Sequence, residues 1–119
     1  MEEIRTPHPA SRILKAAAIG AGSLGRHHAR NYAELAREER VEFVGVCDAN
    51  PETASTIAAD NGSPYFTAWR DLLDKTDVVS IATPTETHCE IACAFLERGV
   101  HVLVEKPMSL AISEADQMI

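Results

Sequence analysis

The 119-residue sequence predicts an α/β fold, a doubly wound parallel sheet with spatial strand order 3-2-1-4-5. Three observations point to it. Short, mostly apolar runs recur at 13–20, 41–47, 78–82 and 101–105, as strands covered on both faces do. Segments with helical spacing lie between them, which gives strand–helix–strand units with right-handed crossovers. A glycine-rich turn, GAGSLG at 20–25, joins the first strand to the first helix.

Residues 1–12 (MEEIRTPHPASR) are acidic and then proline-rich. They lack the basic start and apolar stretch of a secretory signal and are expected to be a flexible leader. The domain is expected to run over 13–119. Its first strand is ILKAAAIG (13–20). A helix over 24–38 follows, with Leu24, His28, Tyr32 and Leu35 spaced four, four and three apart as one inward stripe. VEFVGVC (41–47) is the second strand. The next helix, 51–61, opens with Asn50 as cap and Pro51 at its first position. A weak strand near Tyr65 and Phe66 precedes a short helix in AWRDLLDK (68–75).

VVSIA (78–82) is the fourth strand. The helix after it, 85–98, puts Ile91, Ala92, Phe95 and Leu96 on its inner side and ends at Gly99. HVLVE (101–105) is the fifth strand. SEADQMI begins another helix with Ser113 as its cap and stops after about two turns. A helix that short is marginal alone, so the expectation is a chain cut from a longer protein.

Hydrophobic and charged fractions of 45% and 24% are those of an ordinary globular domain. A net charge of −7 argues against a nucleic-acid or anionic-membrane binder, which needs a basic face. No run approaches the ~18 apolar residues of a membrane span. Cys47, Cys89 and Cys93 are an odd set without framework spacing, which fits a reducing, cytoplasmic setting and buried small hydrophobes. No His or Cys cluster completes a metal site.

GAGSLG follows a strand and opens a helix, the context that makes GxGxxG informative. Gly20 permits the tight turn, Gly22 admits backbone amides to a pyrophosphate, and Gly25 lets helix and strand pack closely. Ser23 and Leu24 would offer amides at the positive end of the helix. The competing reading is a plain βα turn rich in glycine.

Asp48 ends the second strand, where an acid accepts hydrogen bonds from the ribose hydroxyls of a dinucleotide. A 2′-phosphate beside it would cost about 4 kcal/mol at ~4 Å and an effective dielectric of ~20. Residues 49–54 (ANPETA) hold no Arg or Lys to offset that. NAD is therefore expected over NADP. The alternative for Asp48 is a helix cap, a place Asn50 fills better.

ATPTETH ends the fourth strand, and its loop, Thr83, Pro84 and Thr85, borders the middle of the cleft. His88 either lines that cleft or packs along the Ile91, Ala92 and Phe95 stripe. His28 is expected to pack on the first helix, His27 has no assigned role, and His101 lies at the wrong end of its strand. Glu105 and Lys106 end the fifth strand at the nicotinamide end, and Pro107 restricts Lys106 to extended backbone.

GAGSLG, CDANP, ATPTETH and above all VEKP together resemble the Gfo/Idh/MocA family, the glucose–fructose oxidoreductase and inositol dehydrogenase group, over residues 13–119. The resemblance implies a Rossmann domain that precedes a carboxyl-terminal α/β domain with an open antiparallel sheet. That second domain carries substrate contacts and oligomer contacts, so a homo-oligomer is implied. Lys106 becomes the catalytic-site lysine and Glu105 a group that positions cofactor or lysine. The implied activity is NAD-dependent hydride transfer with a sugar, polyol or nucleotide-sugar. The 119 residues alone are expected to be inactive. The rival expectation is a non-catalytic dinucleotide sensor of the same fold.

Overall fold

Ala16, Ala17 and Ala18 are completely buried, because their strand lies mid-sheet with helices on both faces. The computed structural model describes residues 13–105 and 117–119. Five strands, β1 (Leu14–Ile19), β2 (Val41–Cys47), β3 (Tyr65–Phe66), β4 (Val78–Ile81) and β5 (His101–Val104), form one parallel sheet in the order β3-β2-β1-β4-β5. The doubly wound order expected from the sequence is thus the observed one. The leader, Lys106, Pro107 and the Ser113 cap lie outside the described residues.

Helices α1 (Gly25–Arg37), α2 (Pro51–Asn61) and α3 (His88–Glu97) cover the sheet. Strand alternation divides the core. Ala18 and Val46 meet Ala29 of α1 and Ala58 of α2 on one face. Ala17, Ile19, Val79 and Ile81 pack with Phe95 of α3 and Leu72 on the other. Met118 also joins that second cluster. Between Ala16 and Ala17 the β1–β2 register slips by one residue, a bulge that skips Val44.

α2 opens as expected. The Asn50 side chain accepts hydrogen bonds from the amides of Glu52 (3.0 Å) and Thr53 (3.3 Å), and Pro51 follows. The inward stripe of α1 differs from the expected one. Gly25, Ala29 and Ala33 are its buried line, His28 and Tyr32 are half-buried, and Leu24 is exposed. Small residues face the sheet there because the helix lies close to it, which turns the larger side chains to the flank.

Leu96 is likewise exposed, one position past Phe95. The expected helix 85–98 is two elements, a 3-10 turn at Thr85–Thr87 and then α3. AWRDLLDK supplies only a 3-10 turn, Trp69–Leu72, whose Leu72 fills the core. Cys47 and Cys89 are buried as expected, but Cys93 is half-exposed. Among the described residues no helix is long and apolar enough to cross a membrane. No group of three metal-ligating side chains gathers among them either.

Candidate functional site

The sheet's backbone pairing continues one residue beyond the strands at their carboxyl ends. Asp48 N donates to Phe66 O (3.1 Å), Gly20 N to Cys47 O (2.7 Å), Ala82 N to Ile19 O (2.8 Å) and Glu105 N to Ile81 O (3.1 Å). These bonds fix Asp48, Gly20, Ala82 and Glu105 in a row along one edge. With about 4.8 Å between neighbouring strands, the row from Asp48 to Glu105 spans about 14 Å. A cleft of about 520 Å³ opens over Asp48, Gly20, Gly22, Thr83 and Pro84.

The three glycines of the turn separate on contact geometry. Gly20 has φ +95°, and a Cβ there would sit 2.7 Å from the Ala82 carbonyl carbon. A Cβ on Gly25 would come within 1.8 Å of Gly20 O. Both positions are therefore closed by the chain itself. Gly22 differs: among the described residues, a Cβ there meets nothing within 4 Å, and Gly22 is one of the residues that line the cleft.

The start of α1 suits an anion. Its Leu24 cap makes no side-chain hydrogen bond, and its first turn carries no acid. α2, by contrast, is capped by Asn50 and has Glu52 in its first turn. Ser23 and Leu24 are both exposed beside the open Gly22. Donors at a helix N-terminus and room above a glycine are what a pyrophosphate requires. The residues present fit a dinucleotide.

Asp48 uses both carboxylate oxygens on the backbone. Oδ2 accepts from Ala21 N (2.9 Å) and Oδ1 from Asn50 N (2.9 Å). Its half-buried carboxylate lines the cleft and has lone pairs left for a further donor. The neighbouring Cys47 thiol is pushed up to about 12 by burial, with the charges of Asp48 and Asp71 adding to it. A thiol so raised stays protonated near neutral pH.

His88 is buried, and its Nε2–H donates to Thr83 O (2.8 Å). That bond supports the loop after β4 from a buried position. Thr83 and Pro84 line the cleft, whereas Thr85 does not. Thr87 does line it, and its Oγ1 pairs with Thr83 Oγ1 (2.6 Å) and donates to Pro84 O (2.6 Å).

Sequence reasoning missed Thr87, Thr67 and Trp69, all of which line the cleft. Trp69 could have been found, because it follows a strand whose carboxyl end must open on the same edge. Its ring carries the Arg70 guanidinium 4.2 Å above it and tilts against Phe95 at 6.0 Å. At the far end of the row, the Glu105 carboxylate is held by His28 of α1. Lys106 lies outside the described residues.

A family model described as "Oxidoreductase family, NAD-binding Rossmann fold" matches residues 14–119. The chain is 41% identical over 106 residues to UDP-N-acetylglucosamine 3-dehydrogenase of Acidithiobacillus ferrooxidans, covering 89% of this chain and 32% of the relative. The solved structure of that enzyme superimposes with a TM-score of 0.81 at 39% identity, over 90% of this chain and 34% of that one. Glucose-6-phosphate 3-dehydrogenase of Bacillus subtilis is 35% identical, over 89% of this chain and 29% of the relative. The WlbA dehydrogenase from Bordetella pertussis, solved with NADH and UDP-GlcNAcA, gives a TM-score of 0.79 at 29% identity, over 91% of this chain and 33% of that one. The chain thus spans about a third of the length of the curated relatives it matches.

Proposed function

The chain belongs to the Gfo/Idh/MocA oxidoreductase family with an NAD-binding Rossmann fold, and on that premise we propose that it forms the cofactor-holding half of an NAD-dependent dehydrogenase. The substrate class is a sugar, polyol or nucleotide-sugar, oxidised or reduced at a hydroxyl or carbonyl carbon. The substrates in the relatives' names, UDP-N-acetylglucosamine and glucose 6-phosphate, support that class.

The observation that carries the cofactor role is the open cradle at Gly22 beside Asp48. Contacts within the chain account for Gly20 and Gly25. A ligand that approaches the backbone accounts for Gly22. Ser23 and Leu24 bind the pyrophosphate through their amides. Asp48 accepts from a ribose hydroxyl, and its negative charge selects NAD against NADP. Thr83 and Pro84 border the middle of the dinucleotide, with His88 bracing Thr83 through its carbonyl.

Bound NAD supplies the hydride acceptor or donor for the substrate carbon. Glu105 and Lys106 stand at the reacting end. The Lys106 side chain would hydrogen-bond the substrate oxygen, taking its hydroxyl proton as the amine in the oxidation direction and giving that proton back as the ammonium in the reduction direction.

NADH titration followed through the emission of Trp69, the chain's only tryptophan, tests the cofactor role. Quenching that saturates with NADH at lower concentration than with NADPH is expected. Tighter NADPH binding overturns the preference, and no binding of either overturns the role. In the complete protein, Lys106→Ala should depress turnover of a sugar panel far more than NAD affinity. Unchanged turnover rejects Lys106 as the catalytic-site lysine.

A further inference from the structure

We propose that His28 is a positioning residue for the reacting end of the cleft: by holding the Glu105 carboxylate it fixes the carboxyl end of β5 relative to the glycine turn. The inference rests on the dehydrogenase reading for its catalytic consequence, and on geometry for the tie itself.

His28 Nε2–H donates to Oε2 of Glu105, across 77 residues of sequence. A carboxylate accepts only, so Nε2 carries the proton. His28 stands three residues after Gly25, less than one helical turn from the glycine cradle. One turn further on, Tyr32 Oη meets Ser80 Oγ of β4 at 2.6 Å. α1 is thereby tied to β4 and to the end of β5 by two polar contacts at i and i+4 spacing.

The tie has a mechanical reason. β5 is an edge strand of the described sheet, and its Leu103, on the same face as Glu105, is more than half exposed. Apolar packing on that face does little to hold the strand's end. Among the described residues, Glu105 is held by the hydrogen bond from its N–H to Ile81 O, 3.1 Å, and by the one its carboxylate accepts from His28. A histidine that served packing alone would need no acceptor so far away. The helix that begins at the pyrophosphate cradle also fixes the residue next to Lys106, so one rigid element sets the distance between them. A misplacement of about 1 Å at a reacting centre can cost about a hundredfold in rate.

The test uses His28→Leu, which removes the donor, and His28→Gln, which keeps an N–H at similar reach. Amide exchange at Glu105 should speed by about tenfold in His28→Leu while the amides of β1 stay protected. NADH affinity, followed by Trp69 quenching, should stay within about twofold, and kcat of the complete protein should fall by about tenfold or more. His28→Gln should restore both exchange and kcat. Should His28→Leu fail to fold, Glu105→Ala deletes the acceptor instead and should loosen the position-105 amide by the same factor.

Wild-type exchange at residue 105 in these variants overturns the tie, as does uniform loosening of the whole sheet. Local loosening with unchanged kcat overturns the positioning role. If the unmodified protein binds no NADH, the dehydrogenase reading falls and takes the catalytic consequence with it, while the exchange measurements still decide the tie.

Discussion

Asp48 takes the amide hydrogen of Ala21 at 2.9 Å, so the acid that ends β2 also clamps the glycine turn that leaves β1. Ala21 is only 2% exposed, and without Asp48 its N–H would be buried without this acceptor. Asp48→Ala should therefore destabilise the fold by about 1–3 kcal/mol as well as weaken NADH binding. Asp48→Asn keeps one acceptor oxygen and removes the charge. It should lose less stability and narrow the preference for NADH over NADPH. Urea melts of both variants, with titrations of both cofactors, separate the structural effect from the electrostatic one.

Gly22→Ala and Gly25→Ala should fail in different ways. The Gly25 Cβ would overlap Gly20 O, a backbone atom that cannot move aside cheaply. Its variant should unfold or lose several kcal/mol, at or beyond the ~3 kcal/mol upper end of ordinary single substitutions. The Gly22 Cβ enters open space, so that variant should keep wild-type stability within about 0.5 kcal/mol. It should still bind NADH more weakly. A Gly22→Ala protein with unchanged NADH affinity would remove the pyrophosphate from that cradle.

Stability should fall as pH rises between about 9 and 12, in part through Cys47. Burial raises its folded value to about 12 from an ordinary value of 9.0. Above pH 9 the unfolded chain releases the thiol proton while the folded chain keeps it. The unfolded state then binds fewer protons, and stability is lost at up to about 1.4 kcal/mol per pH unit for this group. Cys47→Ala should flatten that slope whatever its effect on absolute stability. The folded thiol should also resist alkylation at pH 8, which mass spectrometry of an iodoacetamide-treated sample would read.

Ser80 is 1% exposed and has the Tyr32 hydroxyl at 2.6 Å. Tyr32→Phe leaves a buried hydroxyl without that partner and should cost about 1–3 kcal/mol. Adding Ser80→Ala should recover part of the loss, because both polar groups then go together. Thermal melts of the two single variants and the double variant give the coupling; strictly additive losses would mean the pair is not a stabilising unit. The Tyr32 hydroxyl itself ionises later than an ordinary tyrosine, because burial outweighs the Ser80 bond.

Strand order, the glycine turn, the Asn50–Pro51 helix start and the edge that carries Asp48, Thr83 and Glu105 were all legible in the sequence. Each is local. Apolar runs of strand length, a cap before proline and glycines between strand and helix are set by neighbours in the chain. Once strands and helices alternate, right-handed crossovers leave few topologies, and the carboxyl edge follows from the order.

Other features depended on residues far apart in sequence. Periodicity put Leu24 and Leu96 inside, yet both are exposed, because the alanines of α1 and the single Phe95 of α3 fill the space next to the sheet. Periodicity placed His28 in a packed stripe and could not show that its ring reaches Glu105, 77 residues on. Nor could it show that the His88 ring reaches the Thr83 carbonyl. The sequence by itself determined which elements form and which edge gathers the chemistry, because those follow from short-range sterics and the period of burial. Only the tertiary structure decided which side chains brace that edge, because a hydrogen bond between distant segments depends on how helices settle on the sheet, which no local pattern encodes.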